Sequence, residues 1–596
     1  MKYPTRAVVL RAVLRRSTLG VLSSAAALAC GALAAPGCQS SSTSTSPAAV
    51  TTPEASTPPS TPPPSFDCSV GDAGGWPMFS GNVCGARAGQ ATDPITAQTV
   101  SRLTVKWKFD ASDDISATPA VVDGQVYFGD WGGMFYRLDA ASGQVVWSKP
   151  VADFIGLGSD AGADGASSDA DAGASAPFDA AAANATPGLK LSTIPVVRDT
   201  PVVTGGLVIA GLINQGTLVA VNADTGDTVW TTTLDPHPYA VVTSSPVLDG
   251  NRIYVGVASA EEGASAVDPS YACCSFRGSV AAVDVTTGKV LWQTPMIEDA
   301  VFRNAGGSLA GFSGAAVWST PAVDRNRKLL YVTTGNNYST PAAYSDGGTP
   351  VPAGDHIESI LALDLDTGAI RWAQRMTTGD IWTFANFEGP DWDFGSGPNL
   401  LQVAMDGGVH DVVGVGQKSG VYWALDADTH AILWKTQVGP GGHLGGIHWG
   451  TATDGTRIYT GVNDEMGTPY KLGGSGTQAG TTTSVGSWAA LDPATGAIDW
   501  QVANPTMTAP LNGASVNGPV AVVNGVVFGG SMDANGTMYA FDATSGKVLW
   551  SFQSGASVYG GPAIADGVVY WGCGYPASRL LIGTPGHTLY AFGLGK

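Results

Sequence analysis

Residues 362–372 read ALDLDTGAIRW, and variants of this phrase punctuate the whole chain. It recurs as RLDAASGQVVW (137–147), AVNADTGDTVW (220–230), AVDVTTGKVLW (282–292), ALDADTHAILW (424–434), ALDPATGAIDW (490–500) and AFDATSGKVLW (540–550). Asn222 replaces the Asp in one copy and His430 replaces the Gly in another. Asp-x-x-Thr-Gly encodes a tight turn, because the carboxylate accepts backbone N–H bonds and glycine permits positive φ. Apolar alternation on both sides makes the phrase a hairpin. Its terminal Trp supplies an apolar plate that packs between neighbouring sheets.

A second phrase precedes most copies, as in TPAVVDGQVYFG from Thr118, SPVLDGNRIYVG from Ser245, GPVAVVNGVVFGG from Gly518 and GPAIADGVVYWG from Gly561. Asp-Gly or Asn-Gly between alternating apolar runs is a strong hairpin signal. Two hairpins per repeat give a four-stranded blade, and such a repeat spells a β-propeller. Seven phrases are complete. The chain ends on TLYAFGLGK, a phrase cut off before its Trp, and LTVKWKFD around Trp107 supplies the missing strand. The expected fold is therefore all-β: an eight-bladed propeller whose ring is closed jointly by N- and C-terminal strands.

The first residues are basic (Lys2, Arg6, Arg11, Arg15, Arg16) and run into an apolar stretch from Leu19 to Ala35. That is the pattern of a signal peptide, here 1–37. It ends LAAPGC at Cys38, and Cys38 followed by a Ser/Thr/Pro-rich linker (38–67) reads as a lipidated tether, with Cys30 as the competing site. The expected location is the periplasm or surface of a bacterium, with membrane contact only through the lipid. The propeller is assigned to 68–596, and Cys68 and Cys84 at its start are a candidate disulfide in an oxidising compartment. An Asp/Ala/Gly/Ser-rich segment, about 153–187, is too poor in apolar residues to be anything but an exposed loop. The formal net charge of −20 argues against nucleic acid as a partner.

A propeller does not name a function; site residues must. The chain has no CxxCH haem motif, no HExxH and no P-loop. Irregular segments in the middle blades stand out instead. Glu261 and Glu262 follow a β-rich run, Cys273 and Cys274 are adjacent, and Trp318 lies outside the blade phrase. Asn336 and Asp355 sit at expected strand ends, Lys418 at a turn, and Trp449 in GGHLGGIHWGTATDG. Taken singly, each has a structural reading: solvated carboxylates, small buried thiols, packing aromatics.

Together these segments resemble the pyrroloquinoline-quinone (PQQ) dehydrogenases, and within them the polyvinyl-alcohol-dehydrogenase-like branch, from about Trp76 to the C-terminus. The resemblance implies a calcium ion held by Glu261 (in SAEEG, with Glu262 a near neighbour), Asn336 (in TTGNN) and Asp355. It implies that Asp355 is the catalytic carboxylate and that Lys418 (in QKSGVYWALD) stands near the quinone carbonyls. Trp318 (in VWSTPAVD) would stack on the cofactor plane, Trp449 and Thr243 (in TSSP) would contact the cofactor, and Cys273–Cys274 would form a vicinal disulfide over its other face. The physics agrees. A hard cation takes carboxylate and amide oxygens, polarises a carbonyl as a Lewis acid, and lies beside a carboxylate able to take the alcohol proton.

The implied activity is oxidation of an alcohol, small or polymeric, with electrons passed to an external acceptor such as a cytochrome c. The competing function is a cofactor-free scaffold, like the propeller lipoprotein of outer-membrane barrel assembly.

Overall fold

The computed structural model describes residues 65–68, 75–157, 194–213, 215–268, 270–304, 311–344, 349–380, 382–383, 390–506, 515–575 and 583–595. The leader, Cys30, Cys38 and most of the linker and of the 153–187 loop lie outside them.

Eight antiparallel sheets form the ring. Blades 1 to 8 span 120–150, 202–233, 247–295, 322–375, 399–437, 452–503, 521–553 and 563–594, the last completed by Leu103–Asp110. Leu103–Asp110 pairs antiparallel with Thr588–Leu594, from Leu103 opposite Leu594 to Asp110 opposite Thr588. The two ends of the domain thus share one blade, as the split phrase required.

Each phrase folds as its chemistry dictates. In blade 4, Asp364 Oδ1 accepts from Asp366 N at 3.0 Å, from Thr367 N at 2.9 Å and from Thr367 Oγ1 at 2.8 Å, and Gly368 follows with φ +71°. The Trp that ends the phrase joins blades. Its indole N–H donates to a backbone carbonyl of the next blade: Trp107 to Ala140, Trp147 to Ala223 and Trp230 to Val285, all at 2.9 Å. Trp292 reaches Leu365 at 3.0 Å, Trp434 reaches Pro493 and Trp500 reaches Ala543 at 2.9 Å, and Trp550 reaches Leu103 at 3.1 Å. The phrase glycine makes this contact possible, because a Cβ on Gly368 would stand 2.4 Å from the Trp292 ring. Where His430 replaces that glycine, the latch is missing. Trp372 has no hydrogen-bond acceptor among the described residues and stacks on the His430 ring at 4.5 Å instead.

The innermost strands would present open backbone edges toward the axis. A strap over 75–95 covers them. Trp76 exchanges hydrogen bonds with Val121, Pro77 accepts from Val203, Val83 from Val323, Cys84 from Leu400, Ala86 from Thr453 and Arg87 from Val522. Gly567 of blade 8 donates to Asp93 Oδ2 at 2.9 Å. Seven of the eight blades are stitched in this way. Arg87 is buried within the strap and donates to Val520 O at 2.7 Å and Pro562 O at 3.3 Å; burial depresses its guanidinium to about 9. The Cys68–Cys84 disulfide fastens the segment before the strap.

Candidate functional site

The site forms where the strand exits of blades 4 and 5 meet the irregular connection between them. The second strand of blade 4, Leu329–Thr333, runs out into Asn336. Glu358 immediately precedes the third strand, Ser359–Asp364, with φ +48°. The connection from 376 to 398 delivers Asp380, Trp382, Asp391 and Asp393, and Lys418 follows the second strand of blade 5, Gly408–Gly416.

Three of these carboxylates converge: each of Glu358, Asp380 and Asp393 offers an oxygen, and the three oxygens lie within 4.8 Å of one another. Backbone and side-chain donors orient them. Asp393 Oδ1 accepts from Asn336 N at 2.7 Å and its Oδ2 from Trp318 Nε1 at 3.2 Å. Asp380 accepts from Trp382 N at 3.1 Å and Trp392 N at 2.6 Å. Glu358 Oε2 accepts from Thr377 Oγ1 at 3.0 Å and Gln417 Nε2 at 3.1 Å, while its buried Oε1 has no hydrogen-bond partner among the described residues. Two glycines give the room. A Cβ on Gly335 would lie 2.7 Å from Asp393 Oδ1, and one on Gly395 would lie 2.0 Å from the Trp318 ring.

Electrostatics crowd negative charge into the cluster. Burial, then Asp380 and Asp393, push Glu358 well above the usual carboxylate range. Burial, then Asp393, raise Asp380. Glu262, on the helix Glu261–Val267, is pushed up to about 8 by burial and by Asp393 and Asp380. Crowded carboxylates with an orphaned oxygen fit a hard cation, which would neutralise the charge and take up the free lone pairs.

Next to the cluster, Lys418 Nζ donates to Asp391 Oδ1 at 2.5 Å, with only 7% and 1% of the two side chains exposed. Burial alone would depress Lys418, but Asp391 and Asp393 hold its ammonium above the ordinary lysine value. Burial pushes Asp391 up despite Lys418. His443 Nδ1 stands 4.0 Å from Asp391 Oδ2, its ring stacked on Trp382. Burial and Lys418 depress the imidazole.

The structure thus brings together Asn336, Lys418 and Trp318. Trp449 meets the Trp318 ring edge-on at 5.0 Å. Thr243 lies beyond it and lines, with Trp449, Arg198 and Tyr559, a cavity of about 40 Å³. Arg198 stands 4.2 Å from the centre of the Trp449 ring. Cys273 and Cys274 form a disulfide across a cis peptide, and Cys274 O accepts from Ser339 Oγ at 3.3 Å. Ser339 ends the short strand Asn337–Ser339 that follows Asn336. A larger cavity of about 530 Å³ lies under the strap and holds none of these residues.

Two expected members fall outside the cluster. The Asp355 carboxyl is buried against Asn337 Nδ2 at 3.3 Å, and burial raises it to about 7, opposed by the Asn337 hydrogen bond and the positive charge of Arg375. Its peptide pairs with Ile297, and it is not one of the three carboxylates that converge. Glu261 is already fully engaged. It accepts from Phe276 N at 2.7 Å, Ser275 N at 2.8 Å and Tyr271 Oη at 2.7 Å, with His237 Nε2 3.5 Å away. Burial would raise it, but these donors hold it below the usual range. Asp355 and Glu261 thus lie outside the group of convergent carboxylates, whereas Glu262, named beside Glu261 from the sequence, lies in its field, and Glu358, Asp380, Asp391 and Asp393 are members that the sequence did not single out. Their signal was the motif PDWDFGSG (390–397), two carboxylates in an irregular segment that no blade needs.

The family profile "Glucose/ethanol/alcohol dehydrogenase, beta-propeller domain" matches residues 235–440, which contain the whole carboxylate cluster. A profile for the outer membrane protein assembly factor BamB matches 485–574. A polyvinylalcohol dehydrogenase of Pseudomonas sp is 30% identical over 554 residues, covering 87% of this chain and 76% of its own length. Another, from Sphingopyxis sp. (strain 113P3), is 36% identical over 417 residues, covering 63% of this chain and 60% of its own. In fold, the chain is similar to the crystal structure of quinohemoprotein alcohol dehydrogenase from Comamonas testosteroni, with TM-score 0.63 and 20% identity over 88% of this chain and 81% of that one. With this similarity along most of its length, the chain belongs to the PQQ-dependent dehydrogenases, a family of oxidoreductases.

Proposed function

We propose that the protein oxidises an alcohol, small or polymeric, using PQQ and a bound hard cation, Ca²⁺, and hands the electrons to an external acceptor such as a cytochrome c. The observation that carries this reading is the convergence of Glu358, Asp380 and Asp393 beside the Lys418–Asp391 pair and the Trp318 ring. Glu358, Asp380 and Asp393 with the Asn336 amide would hold the cation, and Glu262 adds negative charge nearby. When bound, the quinone supplies the two-electron acceptor. Trp318 offers a flat face for a heteroaromatic ring. Arg198, beside Trp449 and Thr243, offers a guanidinium to an anionic substituent. Asp391 takes the hydroxyl proton; its raised proton affinity makes it a stronger base than an exposed carboxylate. Lys418 fixes one Asp391 oxygen and presents positive charge to any oxyanion that develops nearby.

The relatives named polyvinylalcohol dehydrogenase support a polymeric or secondary alcohol as substrate. The disulfides Cys68–Cys84 and Cys273–Cys274 suit an oxidising compartment, which supports export and a Cys38 tether at the periplasm or cell surface. The scaffold reading draws on the BamB match, but that match covers 485–574 and includes none of the convergent residues.

Reconstitution tests the proposal. Purified protein is loaded with PQQ and Ca²⁺, with La³⁺ in a parallel titration because so many carboxylates also suit a trivalent ion. Reduction of an artificial acceptor dye is then followed with a panel of alcohols. Turnover that needs both quinone and cation is expected. A protein that binds neither supports the scaffold.

A further inference from the structure

Asp391 is sealed on one side, because Lys418 Nζ occupies its Oδ1 at 2.5 Å, and only 1% of its side chain is exposed. Its Oδ2 faces the His443 imidazole, 4.0 Å away, and 34% of the His443 side chain is exposed. Of Lys418 and His443, the two described side chains that face Asp391, His443 is thus the one that reaches solvent. Its ring lies on Trp382, centroids 4.9 Å apart and planes 27° from parallel, so the two form a flat wall beside the carboxylate.

The wall is fixed by the segment that carries it, GPGGHLGG at 439–446. Leu444 N donates to Glu465 Oε1 at 3.0 Å, and Gly446 exchanges backbone hydrogen bonds with Asn463. A Cβ on Gly442 would stand 2.5 Å from Glu465 Oε1, and one on Gly446 would stand 2.2 Å from the Lys418 carbonyl oxygen. The glycines therefore serve close approach rather than looseness, and the imidazole is held at a set distance from Asp391.

We propose that His443 is a specificity-determining residue: the alcohol reaches Asp391 along the imidazole face, and the ring limits how large a substituent the carbinol carbon can carry. The proposal deepens the preceding reading and rests on Asp391 as the proton acceptor. A substituent on the carbon bearing the hydroxyl must share the space beside Asp391 Oδ2 with the imidazole. A slim alcohol asks for little of that space, and a branched secondary alcohol would press on the ring. A difference of one methylene against such a wall changes kcat/KM by about 10- to 200-fold.

The experiment compares wild type, His443→Ala, His443→Gln and His443→Trp as reconstituted holoenzyme, with ethanol and 4-heptanol. The readout is the ratio of kcat/KM for the two alcohols. His443→Ala should move the ratio toward 4-heptanol by about tenfold or more. His443→Trp should move it the other way, and His443→Gln, of intermediate bulk, should fall between. Thermal melting identifies any variant that does not fold, and one folded variant of altered bulk suffices. As a readout independent of turnover, the imidazole ring resonance absent from His443→Ala should shift when 4-heptanol is added to wild type. Ratios within twofold of wild type in every folded variant would overturn the proposal, while an inactive Asp391→Asn on both alcohols would leave the parent reading standing. Normal turnover by Asp391→Asn would sink the parent reading and this proposal with it.

Discussion

Asp391 and Asp355 are both buried aspartates in the same region, and their surroundings assign them opposite fates. Asp391 touches Lys418, faces His443 and lies two residues from Asp393. Asp391→Asn keeps the shape and removes the proposed proton acceptor, so turnover should fall by about 10² to 10⁴ in steady-state assays with excess PQQ and Ca²⁺. Asp355→Asn should retain turnover, because among the described residues its carboxyl meets Asn337 and the field of Arg375 rather than the convergent carboxylates. It should change stability instead. Folding raises Asp355 from an ordinary 3.8 to about 7, so the folded state favours the protonated form. That contribution is fully present below about pH 4 and is lost as pH rises through 7. Wild type should therefore lose up to about 4 kcal/mol relative to Asp355→Asn between pH 4 and 8, and urea melts at the two pH values would show it. Equal pH slopes would mean that Asp355 is not perturbed. The sequence made Asn336, Lys418 and Trp318 legible because each sits in a short local pattern. It hid Asp391 and Glu358, because their convergence depends on where an irregular connection folds back. Spacing along a chain does not encode that.

At the scale of the element, the blade phrase was legible in full, since turn chemistry and alternation are local. The reason for its glycine was only half legible. Positive φ explains Gly368 in part, but the neighbouring Trp292 ring, 2.4 Å from where a Cβ would be, is a constraint from another blade. Gly368→Ala meets both penalties and should cost about 2–4 kcal/mol in chemical denaturation, with the urea dependence unchanged. His430→Gly is the complementary change. It removes a non-glycine residue at φ 62° and clears space for the Trp372 indole. It should cost less than Gly368→Ala or even stabilise, and a loss as large as that of Gly368→Ala would refute the account of the missing latch. The strap left no readable trace, because its partners are backbone groups of seven blades and carry no side-chain signature.

At the scale of the molecule, the ring couples the site to global stability. Glu358, Asp380 and Asp393 repel one another across segments from blade 4 and the connection to blade 5. A cation that binds only the folded state at 100 times its Kd should stabilise by about 2.7 kcal/mol. Calorimetry should therefore show Tm rising with Ca²⁺ in wild type and rising much less in Glu358→Gln, even without quinone. Identical Ca²⁺ responses would remove Glu358 from the cation site. The strap has a further consequence, in time rather than in space. It is synthesised before any blade, yet its bond between Asp93 and Gly567 joins residues 474 positions apart. Contacts that distant must wait until the last blade has left the ribosome, and long loop closures of this kind slow folding. A segment made before every blade is thus among the last to settle, and inner blade edges stay open until it does.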